Sequence, residues 1–598
     1  MESRIAAQLG GAFWRAHRGL TAAWLALLAL GAILPTIFAM LISMITADIV
    51  AQDHARLVPT VIGAGLCLLA IQVLPYVDGV VTLALGSRLT FALSRRLVSA
   101  SLTNPGVTHL ENPAVGTIRD IDQETSGPPL FLAVNFMHGP LLRLLTGVVS
   151  AILLFVCAWW ASLLLVAVWL TTYLWLGASG MWRERKTDEV TLSQQHAGYA
   201  YELATGAEYA KEIRLFGLQD WVVARFTGER MRLCDAQYRA TRLRARALAG
   251  AAAVVVAGNA LVFWFMGVRY LDEGWPLQDF MFAVQLATGV GWMAFGGLSW
   301  AADDVAAAVG VVQRLEPLLA RTDLRPSGRA PVPTGAMRVE LREIGFRYPA
   351  AQKPVYDGLN LVIPQGCSLA IVGANGAGKT SLAKLLCRFH DPDAGRILVN
   401  GVDLTGLDLD AWHHSIAAVF QDFAHFDQSL RTNVDPGGHS DDAQITDCLR
   451  DAGLGQLLNG GVGLDTPMNK GYRGGADLSG GQWQRVALAR VLCAVRRGAQ
   501  LVILDEPTSN LDVHGETTLF SRLLQETRGV TTILISHRFS TVRAVDQIAV
   551  LDQGRVVQRG SHIELMARDG HYRRMFTVQS SLFGERGEDG EHVELLDS

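Results

Sequence analysis

The first 300 residues hold six long apolar stretches, roughly Leu20–Ile45, Leu57–Leu85, Phe136–Ala158, Ala161–Gly177, Ala247–Tyr270 and Leu277–Trp300. At about 1.5 Å of rise per residue, a helix of that length covers roughly the 30 Å hydrocarbon core of a bilayer. Backbone polar groups in hydrocarbon must be satisfied within the segment, so each stretch is expected to be helical. The chain is therefore expected to begin with an all-α transmembrane domain of six helices. Pro35 and Pro75 fall inside the first two stretches and should kink them. Arg4, Arg15 and Arg18 precede the first stretch, but it is far longer than the apolar core of a secretory signal.

Charge sets the orientation. Arg88, Arg95, Arg96 and Arg119 follow the second stretch, and Arg183, Arg185 and Lys186 follow the fourth. Arg239, Arg242, Arg244 and Arg246 precede the fifth, whereas Thr46–Arg56 offers only Arg56 and Leu271–Gln278 offers no cation. Basic connections stay inside, so both termini are expected in the cytoplasm of a multi-pass protein of the plasma membrane. The richness in alanine, arginine and glycine points to a prokaryotic source. The two inside connections are long and helical in pattern, with reversals near Asn104–Asn112 and Lys211–Gln219. Asp78 counts to the cytoplasmic interface and is expected to be solvated rather than to touch a substrate. His138 and Arg143 are read as interfacial. Trp159, Trp160, Trp264, Trp292 and Trp300 suit either an apolar cargo or the aromatic belt.

Beyond Trp300 the pattern changes. A Pro- and Gly-rich joint, Arg325 to Pro333, reads as a linker. Short β-rich runs alternating with helices follow, as in an α/β nucleotide-binding fold. The expected boundaries are a cytoplasmic or interfacial segment at 1–19, a membrane domain at 20–320, a linker at 321–336, an α/β domain at 337–578, and an acidic, disordered tail at 579–598. A net charge of -4 leaves no general basic field for nucleic acid, and no nucleic-acid partner is expected. The seven cysteines contain no CxxC pair and are read as reduced thiols.

Within the α/β region, Leu369-Ala370-Ile371-Val372 reads as a buried strand and runs directly into Gly373-Ala374-Asn375-Gly376-Ala377-Gly378-Lys379-Thr380-Ser381. The glycines let the backbone curl its N–H groups around phosphate oxygens, Lys379 adds positive charge, and the Thr380 hydroxyl suits Mg²⁺. A second buried strand, Leu501–Leu504, ends in Asp505 and Glu506. Asp505 would hold Mg²⁺ through a water molecule, and Glu506 would polarise the water that attacks the γ-phosphate. These pieces describe an α/β phosphate-loop NTPase that takes ATP and Mg²⁺.

Between them stands Leu478-Ser479-Gly480-Gly481-Gln482, opening a helix expected over Gln484–Ala494. With this element the chain resembles an ATP-binding cassette (ABC) half-transporter of the exporter type, its membrane domain and ABC ATPase domain fused in one polypeptide. The resemblance implies that Ser479, Gly480, Gly481 and Gln482 meet the ATP of a partner subunit, two nucleotides being sandwiched head to tail. It implies adenine stacking for Tyr348. Gln421 would reach Mg²⁺ and the attacking water, and His537 would contact the γ-phosphate, so that Glu506, His537 and Gln421 form the catalytic set. Ser509-Asn510-Leu511-Asp512 resembles the loop that couples the two sites. One departure stands out: family exporters often have Gly-Glu-Arg-Gly before the signature, where this chain has Gly471-Tyr472-Arg473-Gly474.

The function so implied is ATP-driven transport by a homodimer or a heterodimer with a second half-transporter. Export of an amphipathic or hydrophobic small molecule, lipid or peptide is the leading expectation. Import of a siderophore or peptide on the same fold, and an ATP-gated channel or regulator, are the alternatives. The transported substrate itself is not legible.

Overall fold

The computed structural model describes residues 2–103, 105–108, 110, 130–178, 188–206, 209–295, 300–320, 324–349, 351–507 and 513–584. It divides into two compact units, Met1–Thr103 with Pro113–Ala320, and Asn104–Asn112 with Arg321–Ser598.

Among the described residues the first unit is wholly helical: α1 (Glu2–Ala16), α2 (Arg18–Ala51), α3 (His54–Thr103), α4 (Leu130–Cys157), α5 (Trp159–Ala178), α6 (Asp188–Thr205), α7 (Ala210–Leu215), α8 (Gln219–Asp272), α9 (Leu277–Gly291) and α10 (Trp300–Ala320). Among the described residues four helices are long and apolar enough to cross a membrane: Arg18–Ala51, His54–Thr103, Leu130–Cys157 and, within α8, Ala249–Asp272. Trp159–Thr172 is a shorter apolar helix. The last apolar stretch forms α9 and then tightens into a 3-10 turn at Trp292–Phe295. Leu66, Leu69, Val80, Phe91, Val156, Val256 and Trp264 stand exposed on this unit, far more apolar surface than a water-soluble bundle presents. Such a surface suits lipid, and the chain is a multi-pass membrane protein.

The segment 1–19, expected to be cytoplasmic or interfacial, contains α1, whose Leu9 and Phe13 share a buried cluster with Trp24, Leu28, Leu85 and Leu89. One expectation for this unit needs correction. Asp78, expected to be solvated, is only 7 % exposed, and its Oδ2 meets Nε2 of His138, which is itself buried. Counting residues from the start of the stretch places Asp78 by depth alone. Its surroundings come from α4, which the count does not include. Helices α3 and α4 approach closely at Gly86, where an added Cβ would lie 2.1 Å from the Phe131 carbonyl oxygen.

The second unit carries two sheets. A four-stranded antiparallel sheet has the order β2 (Tyr356–Ile363), β1 (Val339–Phe346), β4 (Ala394–Val399), β5 (Val402–Asp403). A six-stranded sheet runs β10 (Arg555–Gly560), β9 (Gln547–Asp552), β3 (Ser368–Val372), β8 (Thr531–Ile535), β7 (Leu501–Asp505), β6 (Ile416–Val419). Its strands are parallel except β10. Continuous apolar runs are what a parallel sheet covered on both faces requires. Alternate residues duly feed two cores: Ala370, Val372, Val502, Leu504 and Leu534 enter one, and Leu369, Ile371, Leu501, Ile503 and Ile533 the other.

The expected linker is tied down in its described part. Gly328 donates to the Thr405 carbonyl at 2.8 Å, Ala330 donates to Gly406 at 3.1 Å, and Asp408 donates back to Ala330 at 3.0 Å. Fully buried Arg388 anchors the same stretch through Ser327 Oγ and the Arg325 carbonyl, each at 2.8 Å, and pairs with Asp391 at 3.1 Å. At the other end, a helix over His571–Gly584 runs into the region read as disordered tail.

Candidate nucleotide site

The phosphate loop, Gln421, Asp505, Glu506 and His537 follow β3, β6, β7 and β8 at one edge of the parallel sheet, beyond the carboxyl ends of its strands, where such sheets place ligands. After β3 the chain turns through Gly373–Gly378 and enters α11 (Lys379–Leu386). Gly376 and Gly378 have φ of 82° and 103°, backbone that a side chain disfavours. A Cβ at Gly373 would sit 2.2 Å from the Leu551 carbonyl oxygen. The glycines are thus demanded by geometry, and the helix start leaves its N–H groups for an anion.

Lys379 is buried, and its Nζ donates to the carbonyls of Gly373 (2.9 Å) and Ala374 (3.0 Å) at the mouth of the loop. Burial lowers its pKa, while the nearby Glu506 and Asp505 carboxylates pull the other way. Ala374, Asn375 and Thr380 are exposed around it; Ala377 and Ser381 are buried.

Asp505 and Glu506 end β7 and divide the work by environment. Asp505 is buried, which raises its pKa against the hydrogen bond it takes from Thr380. Its Oδ2 is buried without a hydrogen-bond partner. An orphaned carboxylate oxygen beside a threonine hydroxyl and a phosphate loop is a donor set that fits Mg²⁺. Glu506 has φ of 50°, uncommon for a residue with a side chain and of the kind that clusters at functional sites. Its Oε1 lies 3.0 Å from Nδ1 of His537, which follows β8 and is exposed. Gln421 is exposed just beyond β6.

Tyr348 lies beside α11, its hydroxyl 3.1 Å from Ser381 Oγ and the Lys384 ammonium 5.4 Å from its ring. Its ring also meets His390 edge-on, at 5.4 Å between centroids. His390 Nδ1 is 3.1 Å from Thr108 Oγ1, and Val107 N–H donates to the Phe389 carbonyl at 3.4 Å. Val107 and Thr108 therefore dock in the second unit, next to the tyrosine.

Ser479 to Gln482 are not part of this cluster. They open α12 (Gly480–Arg496), where Ser479 and Gln482 cap each other in a reciprocal box at 2.9 and 3.3 Å. Ser479 and Gly480 are exposed, so the helix N-terminus is presented outward. Tyr472 is exposed in the turn before it. Residues 509–512 lie outside the described residues.

Two contributors had escaped sequence reading. Asp422, beside Gln421, acts electrostatically on Asp505. Buried Gln484, on α12, donates from Nε2 to the Glu506 carbonyl at 3.4 Å, joining the signature helix to the strained residue. Neither has a local signal, because each is brought in by strand pairing or helix packing.

Residues 356–509 match the family model described as ABC transporter. An ATP-dependent lipid A-core flippase of Chromobacterium violaceum is 30 % identical over 65 % of this chain and 66 % of its own length. The flippase of the same name from Bordetella avium is 38 % identical over 40 % of both chains. An ABC-type transporter of Aspergillus fumigatus, fsqE, is 30 % identical over 64 % of this chain but only 31 % of its own length. The matched segments thus span less than the full length of these relatives, from 31 % to 66 %. A solved structure, a bacterial Atm1-family ABC exporter with ATP bound, shares the fold over 94 % of this chain and 99 % of its own, with a TM-score of 0.76 at 21 % identity. An apolar helical domain and an ABC ATPase domain are joined in one polypeptide, and the chain belongs to the ABC transporter family.

Proposed function

We propose that this chain is an ATP-hydrolysing exporter acting as a dimer of half-transporters, homo- or heterodimeric, in the plasma membrane with both termini cytoplasmic. The observation that carries the reading is the meeting of Lys379, Thr380, Asp505, Glu506 and His537 at one sheet edge. The loop Gly373–Gly378 and Lys379 hold the phosphates. Thr380 and Asp505, the latter through water, with Gln421 beside them, would hold Mg²⁺, which supplies charge neutralisation on the phosphate oxygens. Glu506 orients and deprotonates the attacking water, and His537 steadies the Glu506 carboxylate and reaches the γ-phosphate. Closure requires a second cassette, because Ser479 and Gly480 stand exposed at the α12 terminus, outside the Lys379–His537 cluster.

Two structural features support coupling to the membrane domain. Val107 and Thr108 are seated against Phe389 and His390, one contact from Tyr348. At the second reversal, Leu215, Phe216 and Trp221 are exposed and apolar, a surface suited to docking. The relatives named as lipid A-core flippases favour an amphipathic or lipid cargo.

Tyr348 gives a graded test of the nucleotide assignment. Base–aromatic stacking is worth about 1–3 kcal/mol, so Tyr348→Ala should weaken ATP binding by roughly 5- to 150-fold. Tyr348→Phe, which keeps the ring and loses only the hydroxyl contact to Ser381, should bind within about threefold of the parent. Titration with a fluorescent ATP analogue reads both. Direction is tested in inside-out vesicles loaded with a panel of labelled amphiphiles. ATP-dependent accumulation inside supports export; ATP-dependent depletion indicates import, and flux far above ATP turnover indicates a channel.

A further inference from the structure

The membrane unit contains an open cavity of about 750 Å³ that has no signal in the sequence. It is walled by α2, α3, α4 and α9, with Trp292 at one side. That volume is in the range of small-molecule sites, which are mainly apolar with a few placed polar groups. Leu27, Leu34, Ile71, Leu74 and Leu142 supply the apolar wall. The polar groups are unusual for a membrane interior, where ionisable residues are rare and mark function.

Asp78 and His138 both line the cavity, and Asp78 Oδ2 meets His138 Nε2. Behind them, buried Trp24 donates its indole N–H to His138 Nδ1 at 2.9 Å. An indole nitrogen only donates, so Nδ1 of His138 must carry a lone pair. The imidazole proton is therefore on Nε2, and His138 meets Asp78 as a neutral donor. That tautomer gives the carboxylate a hydrogen-bond donor but no cationic partner there. Its second oxygen, Oδ1, is buried and takes no hydrogen bond at all.

The prolines within α2 and α3 add acceptors. Proline has no N–H, so Pro35 and Pro75 deprive the carbonyls of Gly31 and Ile71 of their i+4 donors. Gly31, Pro35, Ile71 and Pro75 all line the same cavity. Arg143, the one Lys or Arg in the lining, has its guanidinium 5.7 Å from the centroid of the Trp292 ring.

We propose that this cavity binds an amphipathic molecule bearing a protonated amine, with the ammonium donating to Asp78 Oδ1 and the apolar body lying against the leucine and isoleucine wall. Trp24 and His138 are positioning residues: they hold the carboxylate aimed, without neutralising it. That the amine is cargo rests on the transporter reading above; that it binds rests on the cavity alone.

The test uses the full chain in nanodiscs, without nucleotide, and a dansyl-labelled alkylamine with its N-acetylated, uncharged counterpart as probes. The amine should bind at least tenfold more tightly than the acetylated form. Asp78→Asn should abolish that preference, and Asp78→Glu should retain it. Trp24→Phe, which keeps the ring and frees His138 to protonate against Asp78, should reduce the preference severalfold. Equal binding of the two probes by the parent chain overturns the proposal, as does an Asp78→Asn variant that folds, by thermal unfolding, and keeps the preference. ATP hydrolysis by the same nanodiscs is measured separately. Its absence strikes the transporter reading and not the cavity, whereas lost amine preference with intact hydrolysis does the reverse.

Discussion

In the Glu506→Gln variant, steady-state ATP hydrolysis should fall by about 10²- to 10⁴-fold, the usual contribution of a positioned general base. Nucleotide binding should survive. The side chain is nearly isosteric, and Gln484 contacts the backbone carbonyl of residue 506, leaving the strained turn at φ 50° supported. The amide cannot take a proton from water, but it can still hydrogen-bond His537, now 3.0 Å from the carboxylate. The variant should accumulate Mg-ATP in a closed state that does not turn over. Single-turnover hydrolysis with labelled ATP, alongside retained-nucleotide counting, measures both halves. Hydrolysis at the parent rate would remove Glu506 from the reaction and leave Asp505 or Asp422 to be reconsidered.

The second large effect concerns two inactive chains that should rescue each other. Lys379→Ala removes the cation that bridges the mouth of the phosphate loop. Gly481→Asp places a carboxylate at the N-terminus of α12, where it repels a phosphate from the site facing it. Each variant alone breaks both composite sites of a homodimer, because every site draws its loop from one chain and its signature from the other. In a mixed dimer both lesions fall in one site, and the other is wholly intact. Random pairing of equal amounts makes about half the dimers mixed, so about a quarter of the composite sites should be restored. Hydrolysis that reappears on co-reconstitution supports head-to-tail sharing. If the mixture is as silent as its parts, each chain uses its own signature, or the partner is a different polypeptide.

How much of this was legible in the residues depended on whether the signal was local. The phosphate loop was legible because Gly373, Gly376 and Gly378 answer to local backbone demands, and a strand and a helix flank them in sequence. The strands Leu369–Val372 and Leu501–Leu504 were legible because burial on both faces leaves an unbroken apolar run. Asp422 was not, because its neighbourhood with Asp505 is created by the parallel pairing of β6 with β7. Gln484 resembles any polar residue of an amphipathic helix until α12 is packed against the end of β7. Asp78 misled for the same reason. Its surroundings are set by His138 and Trp24 on two other helices, 114 residues apart from each other, and no window along the chain contains all three. The tethering of residues 324–336 was hidden too, since a Pro- and Gly-rich stretch reads as free chain until its hydrogen bonds to residues 405–408 are seen.

The central claim is that nucleotide is held between two cassettes, each lending its outward-facing α12 terminus to the other's phosphate loop. Native mass spectrometry of the purified Glu506→Gln protein with Mg-ATP addresses it by counting chains and nucleotides in one particle. Two cassette-bearing chains carrying two ATP molecules, separating when ATP is withdrawn, is the composition required. A single chain that retains ATP and, as the parent sequence, hydrolyses it without any companion would contradict the claim outright.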